Sequence, residues 1–245
     1  MNNWQSQDAD KTLGDDEVHI WLSFLNLHQA RLKHLYPLLS AAEKERSEHF
    51  KHYKQRKNYI ASHGFLHTAL GHYINTPANE IEFSHGEQGK PSIIDEKNSE
   101  NIQFNLSHSG SLAILAICKN HQLGVDIECT DRKANWPGIA RRFFTENEQQ
   151  DFFQLDEKLQ EDAFYKVWTR KEAHMKVTGK GLSLPPRQFE ISIPPKPAAF
   201  IRNLQSVDKL SYKMLDIDLP NMYRDYHACL SSSFDFKVLK SFIHS

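Results

Sequence analysis

An eight-residue apolar run followed closely by two acids places the strongest limit on how this 245-residue chain can fold. Residues 111–118 read SLAILAIC, and after the polar break KNHQ the chain continues as LGVDIE over 123–128. The apolar run is far too short to span a membrane, so it indicates a buried strand. Because side chains two apart on a strand share a face, Asp126 and Glu128 should stand side by side, and their repulsion calls for a positive group between them.

The hydrophobic pattern elsewhere indicates a mixed α+β chain. Alternation predicts a strand over 17–25, and helical spacing predicts long helices over 54–75 and 159–178. We also predict that 111–118 and 123–128 pair as a hairpin. The remaining expected elements are short helices within 28–50 broken at Pro37, helices over 136–144 and 146–155, a strand running into a polar turn at 104–110, and several short strands at 81–83, 91–94 and within 188–243.

The order of these elements suggests a chain built from two similar halves. Each half contains a strand, a long helix and then short strands, which predicts an α+β fold made of two α+β halves. The expected boundaries are a disordered lead over 1–16, an N-terminal half over 17–106 and a C-terminal half over 107–245.

Charge and cysteine content argue against several classes of protein. A formal net charge of −1 provides no global basic field for nucleic acid or an anionic membrane. Three cysteines without a CxxC motif indicate neither a disulfide framework nor a zinc knuckle, and they fit a reducing compartment. The polar, acidic N-terminus lacks the layout of a signal peptide. We therefore expect a soluble, cytoplasmic protein without nucleic-acid or membrane partners.

The paired acids have two interpretations. They could lie on an edge strand with one face in water, or their oxygens could hold a hard divalent cation such as Mg²⁺. The long helix offers a third carboxylate, Glu172, in WTRKEAHMK. Lys176 lies four residues later on the same helix face, where an exposed Glu–Lys pair is the simpler explanation.

Four weaker motifs have comparable alternatives. TENE at 145–148 matches a helix capping box, which competes with a catalytic role for Glu148. The turn NLSHSG at 105–110 and the lysine of GKP, Lys90, could contact phosphate or simply be solvated turn residues. The basic stretch 43–57 could be a solvated helix face or a phosphate-binding end.

In sequence order, the motifs GKP, FNLSHSG, GVDIE, FFTENE, WTRKEAHMK and GKGLSLP closely resemble the 4′-phosphopantetheinyl transferases of the larger, surfactin-synthetase-activating type. The resemblance covers roughly residues 38–190. It implies transfer of the phosphopantetheine arm of coenzyme A to a serine of an apo acyl or peptidyl carrier protein, with release of adenosine 3′,5′-bisphosphate. It also implies Mg²⁺ bridging the pyrophosphate, and a monomeric, pseudo-symmetric pair of α+β halves with the active site in the cleft between them.

The resemblance assigns roles to individual residues. Asp126, Glu128 and Glu172 would be the metal ligands, and the metal would be the positive group that the paired acids require. Lys176 and Glu148 would be catalytic, acting on the departing phosphate and on the serine hydroxyl. The residues expected to bind coenzyme A are Lys90, Ser107 and His108 near its phosphates, and Arg46, Lys54 and Arg56 near its 3′-phosphate. Asn58 aligns where some members have arginine, so the details of 3′-phosphate binding stay open.

Three questions stay open at this level. The carrier could belong to fatty acid, polyketide, nonribosomal peptide or amino-acid-reducing systems. Arg141 and Arg142, in the segment 135–144, could dock an acidic carrier, or the segment could be an amphipathic helix that buries its phenylalanines. The alternative functions are a non-catalytic coenzyme A or nucleotide-binding module and a different Mg²⁺-dependent phosphoryl enzyme, such as a nucleotide phosphatase.

Overall fold

The computed structural model describes residues 4–6, 11–86, 88–131, 134–205 and 211–244. Contacts within the chain divide it into two compact units. The N-terminal unit comprises the described residues up to Asn120 and those from Val238 onward. The C-terminal unit extends from His121 to Lys237. Both units combine helices with sheets, which confirms the predicted α+β class.

The N-terminal unit is built on a five-stranded sheet. Its strands are β1 Trp4–Ser6, β2 Glu17–Phe24, β5 Ile102–Ser109, β6 Leu112–Lys119 and β12 Val238–His244. They lie in the order β1-β12-β2-β6-β5. The strand β12 runs parallel to β1 and β2, and the other pairs are antiparallel. A small hairpin joins β3 Phe83–His85 to β4 Pro91–Ile93.

Helices of the N-terminal unit share a hydrophobic core with this sheet. They are α1 Gln29–Leu35, α2 Ala41–Glu48 and α3 Tyr53–Ile74, with 3-10 turns at Tyr36–Leu38, Ala78–Glu80 and Asp95–Lys97. Pro37 lies in the 3-10 turn between α1 and α2, where the sequence predicts a break. Trp21 of β2 and Phe65 of α3 are almost fully buried in the same core cluster.

The C-terminal unit packs one long helix on a three-stranded antiparallel sheet. The strands of this unit are β7 Leu123–Cys129, β8 Phe189–Ile191, β9 Phe200–Asn203, β10 Lys213–Asp216 and β11 Tyr226–Ser232. The three-stranded sheet has the order β10-β11-β7, and β8 pairs with β9. Its helices are α4 Trp136–Phe143, α5 Glu146–Phe153 and α6 Glu157–Val177, with 3-10 turns at Gly181–Ser183, Pro186–Gln188 and Asn221–Tyr223. No helix in the described ranges is long and apolar enough to cross a membrane.

The predicted hairpin between 111–118 and 123–128 is wrong. The apolar strand β6 pairs with β2 and β5, whereas β7 pairs with β11 in a different sheet. The polar break between them is the chain's passage from one unit to the other, and Asn120 adopts a left-handed backbone there with φ 61°. A short polar break after an apolar strand is equally compatible with a tight turn, so local pattern alone does not separate the two outcomes.

The boundaries in the structure differ from those expected. The proposed division between 106 and 107 lies inside β5, and pairing of β5 with β6 keeps residues 107–120 in the N-terminal unit. Within the proposed disordered lead, β1 pairs with β12 and Leu13 is buried, while residues 1–3 and 7–10 lie outside the described residues.

Candidate active site

Gly124 lies where there is no room for a side chain, and it allows the strand β7 to pack against the helix α6. A Cβ atom on Gly124 would lie 2.3 Å from the carbonyl oxygen of Ala173 and 2.4 Å from the backbone nitrogen of Val177. Real Cβ atoms do not approach that closely, so only glycine permits this contact. The glycine of GVDIE thus lets the strand bearing Asp126 and Glu128 lie directly beside the helix turn bearing Glu172.

The positive group beside the paired acids is, in this structure, an ammonium group. Asp126 is almost fully buried, and its Oδ1 accepts a hydrogen bond from Lys176 Nζ at 2.6 Å. The same ammonium donates to the carbonyl of Val125 at 3.1 Å. Lys176 is half-buried on the last turn of α6, so a lysine four residues after Glu172 is a component of the acidic site.

Glu172 experiences the field of both strand acids. Burial and Asp126 raise the pKa of Glu172 to about 7, Glu128 adds to the rise, and Lys176 opposes it. Asp126, Glu128 and Glu172 therefore share a half-buried region, where the charges of the two strand acids disfavour ionisation of Glu172. Among the described residues, no group of three or more His, Cys, Asp or Glu side chains is arranged as a preformed metal cluster. An all-oxygen donor set with excess negative charge nevertheless suits a hard divalent cation.

Glu148 lies in a closed, fully hydrogen-bonded environment. It caps α5 together with Thr145, whose backbone N–H donates to Glu148 Oε2 at 2.8 Å. Ile191 N–H donates to Oε1 at 2.9 Å, and Lys171 Nζ lies 2.8 Å from Oε2. The geometry favours the capping alternative, because a catalytic role for Glu148 would require this buried ion pair to open.

Lys171 is the residue that sequence reasoning overlooked. Its side chain is fully buried and also donates to the carbonyls of Pro186 and Phe189. Burial lowers the pKa of Lys171, and Glu148 opposes that change. Because Lys171 precedes Glu172 on a helix, it projects from a different face. The signal in the sequence was Glu148, a capping glutamate among aromatic residues. A glutamate that becomes buried needs a cationic partner.

The predicted phosphate-binding residues lie on several elements of the N-terminal unit. Ser107 and His108 belong to the end of β5 rather than to the turn, with Ser107 buried and His108 exposed. Lys90 is half-buried immediately before β4, and burial lowers its pKa to about 8. Arg46 is exposed on α2.

The basic start of α3 approaches the turn between β5 and β6. Asn58 Nδ2 donates to the carbonyl of Gly110 at 3.2 Å. Lys54 and Arg56 lie on the first turn of α3, and Arg56 forms an exposed ion pair with Glu48 at 3.8 Å. Asn58 therefore ties the helix to the turn that follows Ser107 and His108.

A buried histidine on α6 should make the protein less stable in mild acid. The ring of His174 lies 4.6 Å from that of Phe189, 4.5 Å from that of Phe200 and 4.7 Å from that of Tyr212. Burial, with Lys171 adding, lowers its pKa to about 4, so between pH 6.5 and 4 the unfolded chain binds a proton that the folded chain does not. The unfolding free energy of the wild type should therefore fall between pH 7.5 and pH 5. In His174→Phe this fall should be smaller by about 2 kcal/mol. Urea denaturation at both pH values tests this, and an equal loss in variant and wild type would contradict it.

Comparison with known proteins gives a consistent result for both units. One family model, described as 4′-phosphopantetheinyl transferase, N-terminal, matches residues 26–120. A second, the 4′-phosphopantetheinyl transferase superfamily, matches residues 122–231. The two matched regions meet where the structure passes from one unit to the other.

Individual relatives carry the same description. The 4′-phosphopantetheinyl transferase HetI of Nostoc sp. is 31% identical over 195 residues, which is 80% of this chain and 82% of that protein. The 4′-phosphopantetheinyl transferase Sfp of Bacillus subtilis is 32% identical over 68% of this chain and 72% of that protein. A solved holo-[acyl-carrier-protein] synthase of Thermotoga maritima matches 45% of this chain and 61% of that one at 16% identity, but its TM-score of 0.35 is too low to support an argument. From the two family matches and the extended similarity to HetI, this chain is a member of the 4′-phosphopantetheinyl transferase superfamily and an enzyme of that type.

Proposed function

We propose that this enzyme transfers the 4′-phosphopantetheine arm of coenzyme A to a serine of an apo acyl or peptidyl carrier protein. The serine Oγ loses its proton and forms a bond to the β-phosphorus, the pyrophosphate bond breaks, and adenosine 3′,5′-bisphosphate leaves with a proton taken up on its departing oxygen. The observation that best supports this is the convergence of Asp126, Glu128 and Glu172 beside Lys176, with the pKa of Glu172 raised to about 7. The carboxylates of this site suit a divalent cation, and the cation together with the Lys176 ammonium suits a negatively charged pyrophosphate.

Three carboxylates would hold the metal. Asp126, Glu128 and Glu172 would be ligands of Mg²⁺, which when bound neutralises the pyrophosphate and polarises it toward attack. Lys176, whose ammonium already lies at this acidic site, would donate a hydrogen bond or a proton to the departing phosphate. A catalytic role for Glu148 would require its carboxylate to separate from Lys171.

Binding of coenzyme A would involve the basic and polar residues of the N-terminal unit. Ser107 and His108 would contact its phosphates, and Lys90 would lie near the nucleotide. The residues proposed for the 3′-phosphate are Arg46, Lys54 and Arg56. The hydrogen bond from Asn58 to Gly110 supports this grouping, because it holds the basic start of α3 near the end of β5.

The setting of the reaction is proposed on the same basis. Three buried cysteines that form no disulfide with one another are consistent with a reducing, cytoplasmic location. One chain carries both matched regions, which supports a monomer. Carriers of fatty acid, polyketide or nonribosomal peptide synthesis are the proposed partners.

Mass spectrometry of purified apo carrier proteins tests the proposal directly. Each carrier is incubated with the enzyme, coenzyme A and Mg²⁺, with and without a chelator. A mass gain of one phosphopantetheine arm that disappears with the chelator is expected. Release of inorganic phosphate without a carrier would instead indicate a phosphatase, and binding of coenzyme A without any transfer would indicate a non-catalytic binding module.

Two exposed arginines on α4 are proposed to dock the carrier. The guanidinium carbon of Arg141 lies 4.3 Å from the ring centre of Phe153, and that of Arg142 lies 5.1 Å from the ring centre of Phe143. Both charges are thus presented over aromatic rings, one on α4 and one on α5, which suits an acidic partner.

Reversing both charges should weaken carrier binding selectively. For Arg141→Glu with Arg142→Glu we expect KM for the carrier to rise about tenfold, with loss of its salt dependence and unchanged affinity for coenzyme A. Steady-state kinetics at two ionic strengths, with the exposed Arg224→Glu as matched control, measures this. An unchanged KM for the carrier would remove α4 from the docking surface.

A further inference from the structure

A buried carboxylate with two histidines links three elements of the N-terminal unit. Glu43 closes a capping box at the start of α2, where the backbone N–H of Ser40 donates to its Oε2 at 2.8 Å. Its Oε1 lies 2.7 Å from His63 Nδ1, and its Oε2 lies 2.8 Å from His67 Nε2. Burial would raise the pKa of Glu43, but the hydrogen bonds from His63 and His67 hold it far below its usual range. Glu43 is therefore an ionised carboxylate.

The contacts of His67 join Glu43 to the 3-10 turn that follows α3. Its ring has no solvent exposure, and its Nδ1 lies 2.8 Å from the carbonyl oxygen of Ala78. A carbonyl can only accept a hydrogen bond, so Nδ1 donates to Ala78 and Nε2 bonds the carboxylate of Glu43. Both ring nitrogens are thus hydrogen-bonded in a buried site, and the ring of Phe83 packs against His67 at 5.1 Å.

The contact between Glu43 and His67 joins α2 to α3. His67 lies in the middle of α3, Glu43 lies on the first turn of α2, and Ala78 belongs to the 3-10 turn after α3. The contact is supported by His63, which bonds the same carboxylate and stacks on Tyr59 with ring centres 4.0 Å apart.

Arg46 shares this arrangement. It lies three residues after Glu43, which is nearly one helical turn. Burial and Glu43 raise the pKa of Tyr59 to about 12, and the charge of Arg46 opposes that rise, so Arg46 lies within the field of the same cluster.

We propose that Glu43 and His67 are positioning residues that hold α2 on α3 through the buried hydrogen bond between the Glu43 carboxylate and the His67 ring, so that Arg46 meets the 3′-phosphate of coenzyme A. This inference rests on the function proposed above. It assigns no contact with the substrate to either residue. It predicts that breaking the pair removes recognition of one phosphate and leaves the rest of the ligand's binding intact.

Affinities for coenzyme A and for 3′-dephospho-coenzyme A separate this role from a general loss of structure. Glu43→Gln removes the charge of the carboxylate and replaces one of its two acceptor oxygens with an amide N–H₂ group. We expect its Kd for coenzyme A to rise about tenfold, within the usual range of coupling between sites, with an unchanged Kd for the dephospho form. Glu45→Gln, the same change on the exposed face of α2, should alter neither value. Equal weakening for both ligands, or no change for either, would overturn the proposal.

A double variant supplies a second test. If the two residues act as one unit, Glu43→Gln with His67→Gln should lose no more discrimination between the two ligands than either single variant loses. Additive losses would contradict the pair. If the wild-type enzyme binds coenzyme A but transfers nothing to any carrier, the proposed function fails while the two affinities still decide the role of Glu43 and His67.

Discussion

Replacing Glu172 by glutamine should lower the rate of phosphopantetheine transfer about a thousandfold, equivalent to roughly 4 kcal/mol of lost transition-state stabilisation. Glutamine keeps the shape of the side chain but removes one of the three carboxylates proposed to hold Mg²⁺. Single-turnover transfer to an apo carrier, followed by mass spectrometry at several Mg²⁺ concentrations, measures the loss. Glu157→Gln, an exposed change on the first turn of the same helix, is the matched control.

The same replacement should raise stability when the metal is chelated. The pKa of Glu172 is about 7 in the folded chain and 4.5 by its ordinary value, so ionisation of this group opposes folding as pH rises from 4.5 through 7. At pH 8 without metal, Glu172→Gln should therefore gain up to about 3 kcal/mol of unfolding free energy. Loss of activity with gain of stability is the pattern of a site that has been kept for function. Retained activity, or a loss of stability, would argue against Glu172 as a metal ligand.

Lys171→Met should be the most destabilising of the changes considered, at about 3–5 kcal/mol, because it leaves Glu148 as an uncompensated buried charge. Methionine preserves much of the length and the packing of the lysine stem. Chemical denaturation at neutral pH measures the loss. Lys158→Met, on the exposed start of α6, provides the control.

Combining Lys171→Met with Glu148→Gln distinguishes a structural from a catalytic Glu148. Removing both charges should recover most of the lost stability, since replacing a buried ion pair by neutral groups is often close to neutral. If Glu148 is only a helix cap, transfer activity should recover along with stability. A stable double variant that transfers more than a hundredfold slower than wild type would restore the catalytic interpretation of Glu148.

Local signals in the sequence were sufficient for most of the helices. Pro37 marked the break between α1 and α2, and the capping box at Thr145 marked the start of α5. These features act within one turn of the chain, so they can be recognised from the sequence without knowledge of the fold. The neighbouring positions of Asp126 and Glu128 on one strand face followed from the strand period in the same way.

Long-range pairing was beyond the same reasoning. The strand β7 takes β11 as its partner about a hundred residues later, rather than the adjacent β6. Pairing partners depend on the free energy of whole sheets, which a window of ten residues does not contain. For the same reason the buried partners of Glu148 and Glu43 became visible only in three dimensions, because Lys171 and His67 are ordinary residues in their own local sequence.

The position of β12 has a consequence for the order in which the two units can form during synthesis. This strand lies between β1 and β2, so the sheet of the N-terminal unit lacks one of its interior strands until residues 238–244 have left the ribosome. The C-terminal unit is contiguous from His121 to Lys237, and every one of its strands is available earlier. Domains usually mature from the N-terminus as the chain emerges. Here the unit that is translated first is completed only after the C-terminal unit, and one edge of β2 stays open to pairing with other chains until β12 arrives.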